Sequence, residues 1–371
     1  MRSIKLASTI FLITTLFCSC GASADRQQEA NKNDQTPKNN PAAQDASEPK
    51  AQNQNKPPRA AVDPKKFAII VSGVGGEESY TKKFTAHATT LYEALTNRLG
   101  FDEKQVFLLM ETASGGPENA ARELPGRATA AEVRSAFNTV KTAAAADSIV
   151  FVMLIGHGSF DTQQAKFNLI GPDLTAKDYA QLLAGLPTRR VVFINCASSS
   201  GEFVKPLSAE NRIVITATRS GNEQNATIFA EHLIAALMDS AADGDKNGRL
   251  SLMEAFNYAT RLTADWYKQK NRLATEHALI DDNGDGVGHE EATAGDGALA
   301  KTLYLDSKSV EQAGADAELA GLLTERQRLE EAVEKLKARK SEMKPEEYDS
   351  ALETLLVELA TVNQRIKARQ K

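Results

Sequence analysis

Two apolar runs, each closing on a chemically capable side chain, constrain this chain more than any other feature. Residues 148–159 read Ser-Ile-Val-Phe-Val-Met-Leu-Ile-Gly-His-Gly-Ser, and residues 190–201 read Arg-Val-Val-Phe-Ile-Asn-Cys-Ala-Ser-Ser-Ser-Gly. Near-continuous β-branched and aromatic runs of this length suit strands buried on both faces of a parallel sheet. Open α/β sheets put their sites in the crevice beyond the carboxyl ends of the strands, which is where His157 and Cys196 fall. A thiolate that attacks a carbonyl needs a nearby imidazole and small neighbours that let a peptide backbone approach. Gly158, Ala197 and Ser198 supply the small neighbours, and the N–H groups of Gly158 and Cys196 are candidate donors to an oxyanion.

The surrounding chain alternates strand and helix patterns. Strands are expected at 67–72, 105–110 and 211–217, and a last one at 299–305. Helices are expected at 81–99, 129–144 and 174–186, the last started by Asp173 or Thr175. This alternation predicts a doubly wound, mostly parallel α/β sheet flanked by helices. The turn after the first strand, Gly73-Val74-Gly75-Gly76, matches neither a dinucleotide fingerprint nor a phosphate loop, so no nucleotide role is assigned. His87, inside the first helix, reads as a surface or structural residue.

The pair Val-Met-Leu-Ile-Gly-His157-Gly158 and Val-Val-Phe-Ile-Asn-Cys196 resembles the signature of the caspase-like cysteine peptidases, most closely the legumain branch. The resemblance covers about residues 65–305. It implies a caspase-like sheet, Cys196 as nucleophile, His157 as acid/base and Gly158 as an oxyanion contributor, with a peptide or protein as substrate. It also implies a primary specificity pocket at 218–223, where Arg219 and Ser220 are the candidate substrate-binding residues. Arg219 has two roles open to it, pairing with an acidic or polar substrate group or pairing with Glu223 on the surface. Ile194 stands where basic-specific relatives carry an acidic residue, so nothing points to a Lys/Arg pocket. The Asn that legumain relatives carry in the first turn, where it orients the catalytic His, has no counterpart in Val74-Gly75-Gly76.

The first 24 residues read as an export signal, a short basic start followed by an apolar stretch at 6–17. Two exits are open: a lipobox around Cys20, which would be lipidated, or a signal-peptidase site after Ala24. Residues 25–62 carry almost no large apolar side chain and read as a solvated tether, consistent with a lipid anchor in a bacterial cell envelope. Of the three cysteines two lie in the signal, leaving Cys196 as the one thiol of the mature domain. The formal net charge of −5 argues against a nucleic-acid partner.

Asp243-Gly-Asp245-Lys-Asn247-Gly248-Arg249-Leu-Ser251-Leu-Met-Glu254 fits the EF-hand calcium loop at each defining position. Asp243, Asp245 and Asn247 offer side-chain oxygens, Arg249 its backbone carbonyl and Glu254 a bidentate carboxylate. Helices are expected at 227–240 and 251–270. A second acidic run, 281–286, has Ala292 at the bidentate position and is a degenerate relative of the first; His277 and His289 read as loop residues. Two charged helices, 316–340 and 344–369, close the chain as a hairpin, with Leu322, Leu323, Leu329, Val333 and Leu336 facing Leu352, Leu355, Leu356, Leu359 and Val362. The hairpin is a packing appendage or a surface for self-association or a partner. The expected organisation is a signal (1–24), a tether (25–62), a peptidase domain with its calcium loop (63–305) and a helical hairpin (306–371). The expected function is an exported cysteine endopeptidase stabilised by Ca2+; the alternative is an inactive caspase-like calcium-binding scaffold acting through its C-terminal helices.

Overall fold

The structure, a computed structural model, describes residues 59–112, 125–188, 190–292 and 295–370. The signal with Cys20, and nearly all of the tether, lie outside the described residues. No helix of the described residues is long and apolar enough to cross a membrane.

The strands in chain order are β1 (Lys66–Ser72), β2 (Val106–Met110), β3 (Gly126–Arg127), β4 (Ile149–Ile155), β5 (Gly158–Phe160), β6 (Ala165–Phe167), β7 (Leu174–Thr175), β8 (Arg190–Asn195), β9 (Arg212–Thr216) and β10 (Leu279–Asp281). The helices are α1 (Glu78–Asn97), α2 (Ala130–Ala143), α3 (Ala176–Ala184), α4 (Val204–Leu207), α5 (Phe229–Ala236), α6 (Leu252–Gln269), α7 (Ala298–Thr302), α8 (Lys308–Ala313), α9 (Ala317–Ala338) and α10 (Pro345–Arg369).

Seven strands form the main sheet in the order β10-β9-β8-β4-β1-β2-β3, all parallel except β10. Side chains alternate across it, as period-two geometry requires. Ala68, Ile70, Phe151, Met153, Ile155, Val192, Ile194, Ile213 and Ile215 share one core layer with apolar residues of α1, α5 and α6. Ile69, Val71, Val150, Val152, Leu154, Val191, Phe193 and Val214 share the other with α2 and α3. The sheet is therefore covered on both faces, which is why its strands read as apolar runs rather than as alternating patterns.

Three local expectations are corrected. Residues 299–305 are no strand: 298–302 form α7, because the buried carboxylate of Asp282 accepts the N–H groups of Gly297 (2.7 Å) and Ala300 (2.8 Å) and caps that turn. The last strand is β10, antiparallel to β9, three residues that the acidic run 281–286 concealed. The helix expected at 227–240 stops at Ala236. Asp239 then accepts the Ala241 N–H (2.9 Å) and starts a separate 3-10 turn before the acidic loop. The small sheet β5-β6-β7, which folds over the end of β4, was not anticipated.

The boundary of the folded part also moves. Arg59 and Ala60 already bond to the end of α1, through Nε to the Thr96 carbonyl (3.1 Å) and N–H to the Asn97 carbonyl (2.9 Å). At the other end α9 and α10 pack through Leu319, Leu322, Leu323, Leu329, Val362 and Ile366. Leu356, expected in that seam, is 47% exposed. The hairpin also bonds the sheet domain, through Arg190–Glu331 (3.1 Å) and Lys335–Asn211 (2.7 Å).

Lys66 ties these parts together. It is 2% exposed, and its ammonium donates to the carbonyls of Leu99 (3.0 Å), Leu305 (2.9 Å) and Asp306 (2.7 Å). Burial lowers its pKa from 10.5 to about 8, against the raising effect of Asp63 and Asp306. Between these two values the unfolded chain binds a proton that the folded chain does not, so this group's contribution to stability rises with pH. Lys66→Met strands three acceptors at about 1–3 kcal/mol each before relaxation. We expect urea unfolding to show a less stable variant at pH 7.5. The wild-type advantage should widen toward pH 10.5; a gap that is constant or narrows across that window would contradict this account of Lys66.

Candidate functional site

The sheet order reverses between β1 and β4, since the chain runs from β1 out to β2 and β3 and then returns to the other side of β1. Beyond the carboxyl ends of these two strands lie the turn 73–76 and the segment 156–158, at the kind of switch point where open sheets form crevices. Glycines let the two turns approach the strand that covers them. A Cβ at Gly73 would stand 2.4 Å from the Asn168 carbonyl, and one at Gly156 would stand 3.1 Å from the Phe167 ring.

His157 leaves β4 in the phase of Phe151, Met153 and Ile155, and so toward α1. Its ring meets Tyr80 (4.7 Å between centroids) and Phe84 (5.0 Å), edge-on to both. Burial lowers its pKa, while a hydrogen bond to the backbone of Gly75 and the charge of Glu77 raise it. A bond that favours the imidazolium is one in which the ring donates, so the acceptor is the Gly75 carbonyl. That turn is itself fixed by Glu111, just past β2. One oxygen of its carboxylate accepts the Gly75 N–H (3.0 Å) and the Thr81 hydroxyl (2.7 Å). The sequence carries no local sign of Glu111's part, since its partners lie 36 and 30 residues away.

Cys196 leaves β8 in the phase of Val192 and Ile194, so it falls on the same face as His157 and shares a core layer with Phe84. β4 and β8 are hydrogen-bonded neighbours, with Leu154 opposite Asn195. The thiol is 1% exposed, and burial, with the charge of Glu276, holds its pKa well above the usual thiol range. Both expected oxyanion donors are engaged. The Cys196 N–H bonds the Leu154 carbonyl (2.9 Å) and the Gly158 N–H bonds Ser198 Oγ (3.2 Å), whose own hydroxyl donates to the Gly158 carbonyl (2.9 Å). Both amides are therefore already bonded in this arrangement.

Arg219, at the exit of β9, pairs with Glu223 (3.3 Å) and Glu290 (3.5 Å), the surface alternative of the two open to it. The N–H of Ser220's neighbour Gly221 bonds Glu202 (2.9 Å), and the Ser220 carbonyl accepts the Glu223 N–H (3.3 Å), so this turn is held from both sides. His277 is no bystander in it: its Nδ1 lies 2.5 Å from Glu223 Oε1.

In the acidic loop, Asp243, Asp245 and Glu254 bring carboxylate oxygens within 4.8 Å of one another. Gly248 has φ +80° and Lys246 φ +57°, the two left-handed positions of the turn. Asp243 Oδ2 accepts the Gly248 N–H (2.8 Å), while its Oδ1 is shut from solvent with no hydrogen-bond partner among the described residues. Glu254 closes a capping box with Ser251 at the start of α6 and accepts the N–H groups of Gly244 and Asp245 (3.0 and 3.2 Å). Asn247 Oδ1 accepts the Arg249 N–H (2.7 Å), and the Arg249 side chain turns away to Asp306 (3.0 Å) and the Tyr304 ring (3.9 Å). A hard, oxygen-seeking dication fits this donor set, and the orphaned Asp243 Oδ1 is the atom that most needs one.

No protein-family model matches the chain, and no curated protein matches it. Among solved structures it is similar to protein GSU0716 from Geobacter sulfurreducens, a crystal structure, at a TM-score of 0.39 and 15% identity, over 64% of this chain and 97% of that one.

Glu111→Ala removes the acceptor of two part-buried donors and should cost about 1–3 kcal/mol. It should also free the Gly75 carbonyl, whose bond raises the His157 pKa. We expect the His157 ring signals in NMR to titrate at lower pH in this variant. Titration at the wild-type pH would show that Glu111 does not hold the turn for His157.

Proposed function

We propose that this chain is an exported cysteine endopeptidase of the caspase-like, legumain-related type, with Cys196 as nucleophile and His157 as acid/base. One observation carries the reading: the imidazole and the thiol leave neighbouring parallel strands, on the same face of the sheet, beside its switch point. The loss of the family's Asn from the first turn is answered by the Gly75 carbonyl. It takes one ring N–H and fixes the tautomer, leaving the other nitrogen to accept a proton from the thiol. A depressed imidazole pKa keeps His157 neutral, and so able to act as base, to pH values below the ordinary 6.5. In the reaction the thiolate adds to the scissile carbonyl, imidazolium protonates the departing amine, and water releases the acyl group from sulfur. In this reading Gly158 contributes its N–H to the oxyanion, once rotation of Ser198 Oγ frees it. Arg219 and Ser220 are assigned to substrate contact at the β9 exit, with Glu223 and Glu290 releasing Arg219 as substrate binds. Export through the N-terminal signal, with a lipid anchor on Cys20, belongs to the same reading.

We assign the acidic loop to Ca2+, held by Asp243, Asp245, Asn247, the Arg249 carbonyl and Glu254. The ion's role is to brace α5 and α6 beside the catalytic sheet. The early end of α5 departs from an EF-hand, whose first helix runs directly into its loop.

A second reading, an inactive calcium-binding scaffold acting through α9 and α10, draws on the burial of Cys196. A peptide carrying a cysteine-directed electrophile separates the two. We expect labelling at Cys196 in the wild type, and at least a hundredfold slower labelling in His157→Ala, with the acid limb of the rate falling below pH 6.5. Equal labelling of the two proteins, or none in either under conditions that open the site, favours the scaffold.

Calcium at a hundredfold excess over its dissociation constant should stabilise the domain by about 2.7 kcal/mol. Melting with and without chelator measures this. Glu254→Gln, which keeps a side chain able to cap α6, should abolish the calcium shift. A shift retained in full by that variant would remove Glu254 from the ligand set.

A further inference from the structure

The chain that leads into α5 passes beside Cys196, and it is fastened from a distance. Thr227 donates its hydroxyl to the Cys196 carbonyl in a short hydrogen bond. The next two residues, Ile228 and Phe229, donate their N–H groups to the Glu276 carboxylate at 2.9 and 3.1 Å, and Phe229 is buried in the same core layer as the thiol. Ile228, the residue that caps α5, makes no side-chain cap of its own. Glu276 does that work from 48 residues away. It is 3% exposed and also accepts the Tyr267 hydroxyl from α6 at 3.0 Å.

The residue after Glu276 fastens the other end of the same segment. His277 donates its N–H to Glu223 Oε2 (3.1 Å) and presents Nδ1 to Glu223 Oε1 (2.5 Å), while the Glu223 carbonyl accepts the Ser199 N–H (2.8 Å) beside the nucleophile's turn. Two consecutive residues thus staple both ends of residues 223–229. A helix start can be capped more cheaply by Ser, Thr, Asp or Asn in its own sequence. Here Thr227, the residue just before the cap position, spends its hydroxyl on the Cys196 carbonyl. Burying a carboxylate to do the capping costs solvation, which its backbone and phenol donors offset only while they stay in place. An element held by a few remote contacts opens at lower free energy than the sheet beneath it.

We propose that Glu276 and His277 form a gate on Cys196: with both engaged, segment 223–229 seals the thiol, and release of Ile228 and Phe229 from Glu276 exposes Sγ while the sheet stays folded. This rests on the reading of Cys196 as nucleophile, since a merely structural thiol needs no gate. It makes the sealed arrangement the resting state, and it makes residues 223–229 the part that a substrate or activator must displace. Glu276 is a positioning residue in this account, acting through the segment it caps.

The test is peptide-mapped alkylation of Cys196 by iodoacetamide in the full chain, with hydrogen exchange followed in parallel on β4 and β8. The gate predicts alkylation at least tenfold faster in Glu276→Gln and severalfold faster in the milder Tyr267→Phe, with strand protection unchanged in both. Alkylation at the wild-type rate in these variants overturns it. So does alkylation that accelerates only in step with lost strand protection, because the thiol then opens by global unfolding alone. The small reagent needs no imidazole. Fast alkylation in Glu276→Gln that is indifferent to His157→Gln therefore keeps the gate and defeats the dyad. Dependence of peptide-electrophile labelling on His157, with no effect of Glu276 on access, does the reverse.

Discussion

The hydrogen-bonded register of β4 against β8 fixes where His157 and Cys196 emerge. Leu154 pairs with Asn195, so the next residues of the two strands leave the sheet side by side. Alternation along each strand then decides the face. A one-residue slip of either strand would send His157 or Cys196 to the opposite core layer. Burial on both faces makes such a slip expensive, because it would exchange whole rows of Val, Ile, Phe and Met between layers that are already filled. The register therefore constrains the placement of these two side chains as much as the folding.

Around that fixed pair the structure repeatedly uses carboxylates to hold backbone donors that lie far away in sequence. Glu111 accepts from Gly75 and sets the turn that orients His157. Glu276 accepts from Ile228 and Phe229 and caps the start of α5. Asp282 accepts from Gly297 and Ala300 and makes a helix where the sequence pattern reads as strand. Each of these segments would otherwise end in unsatisfied N–H groups. Each is also anchored by one side chain rather than by a ladder of bonds.

This contrast explains what was legible in the sequence. The buried strands and the helices with a regular apolar stripe are local patterns, legible with most ends right to within a few residues, whereas the reciprocal caps Thr175–Asp178 and Ser251–Glu254 appear only in the structure. The place of His157 and Cys196 just past two strand ends is legible in the sequence; the face they share needs the register of β4 against β8. Remote capping left no such mark. Nothing near Glu111 or Glu276 distinguishes them from surface acids, and Leu-Ala-Lys-Thr-Leu-Tyr-Leu fits either a strand or a short helix until Asp282 chooses. The three residues of β10 were too few to stand out beside an acidic turn. Burial of the thiol was equally hidden, because Cys196 shares its core layer with residues of α1, α5 and α6 that lie far from it in sequence.

The dependence of His157 on Cys196 is the most direct measure of the central claim, that these two side chains form one chemical unit. NMR titration of the His157 ring in the wild type and in Cys196→Ala reads it without substrate, calcium or an opened gate. A pair in contact predicts that removing the thiol moves the His157 titration, since the ring then loses the sulfur as a hydrogen-bonding neighbour. An identical titration in the two proteins, with the fold intact, would contradict the pairing and leave Cys196 as a buried structural residue.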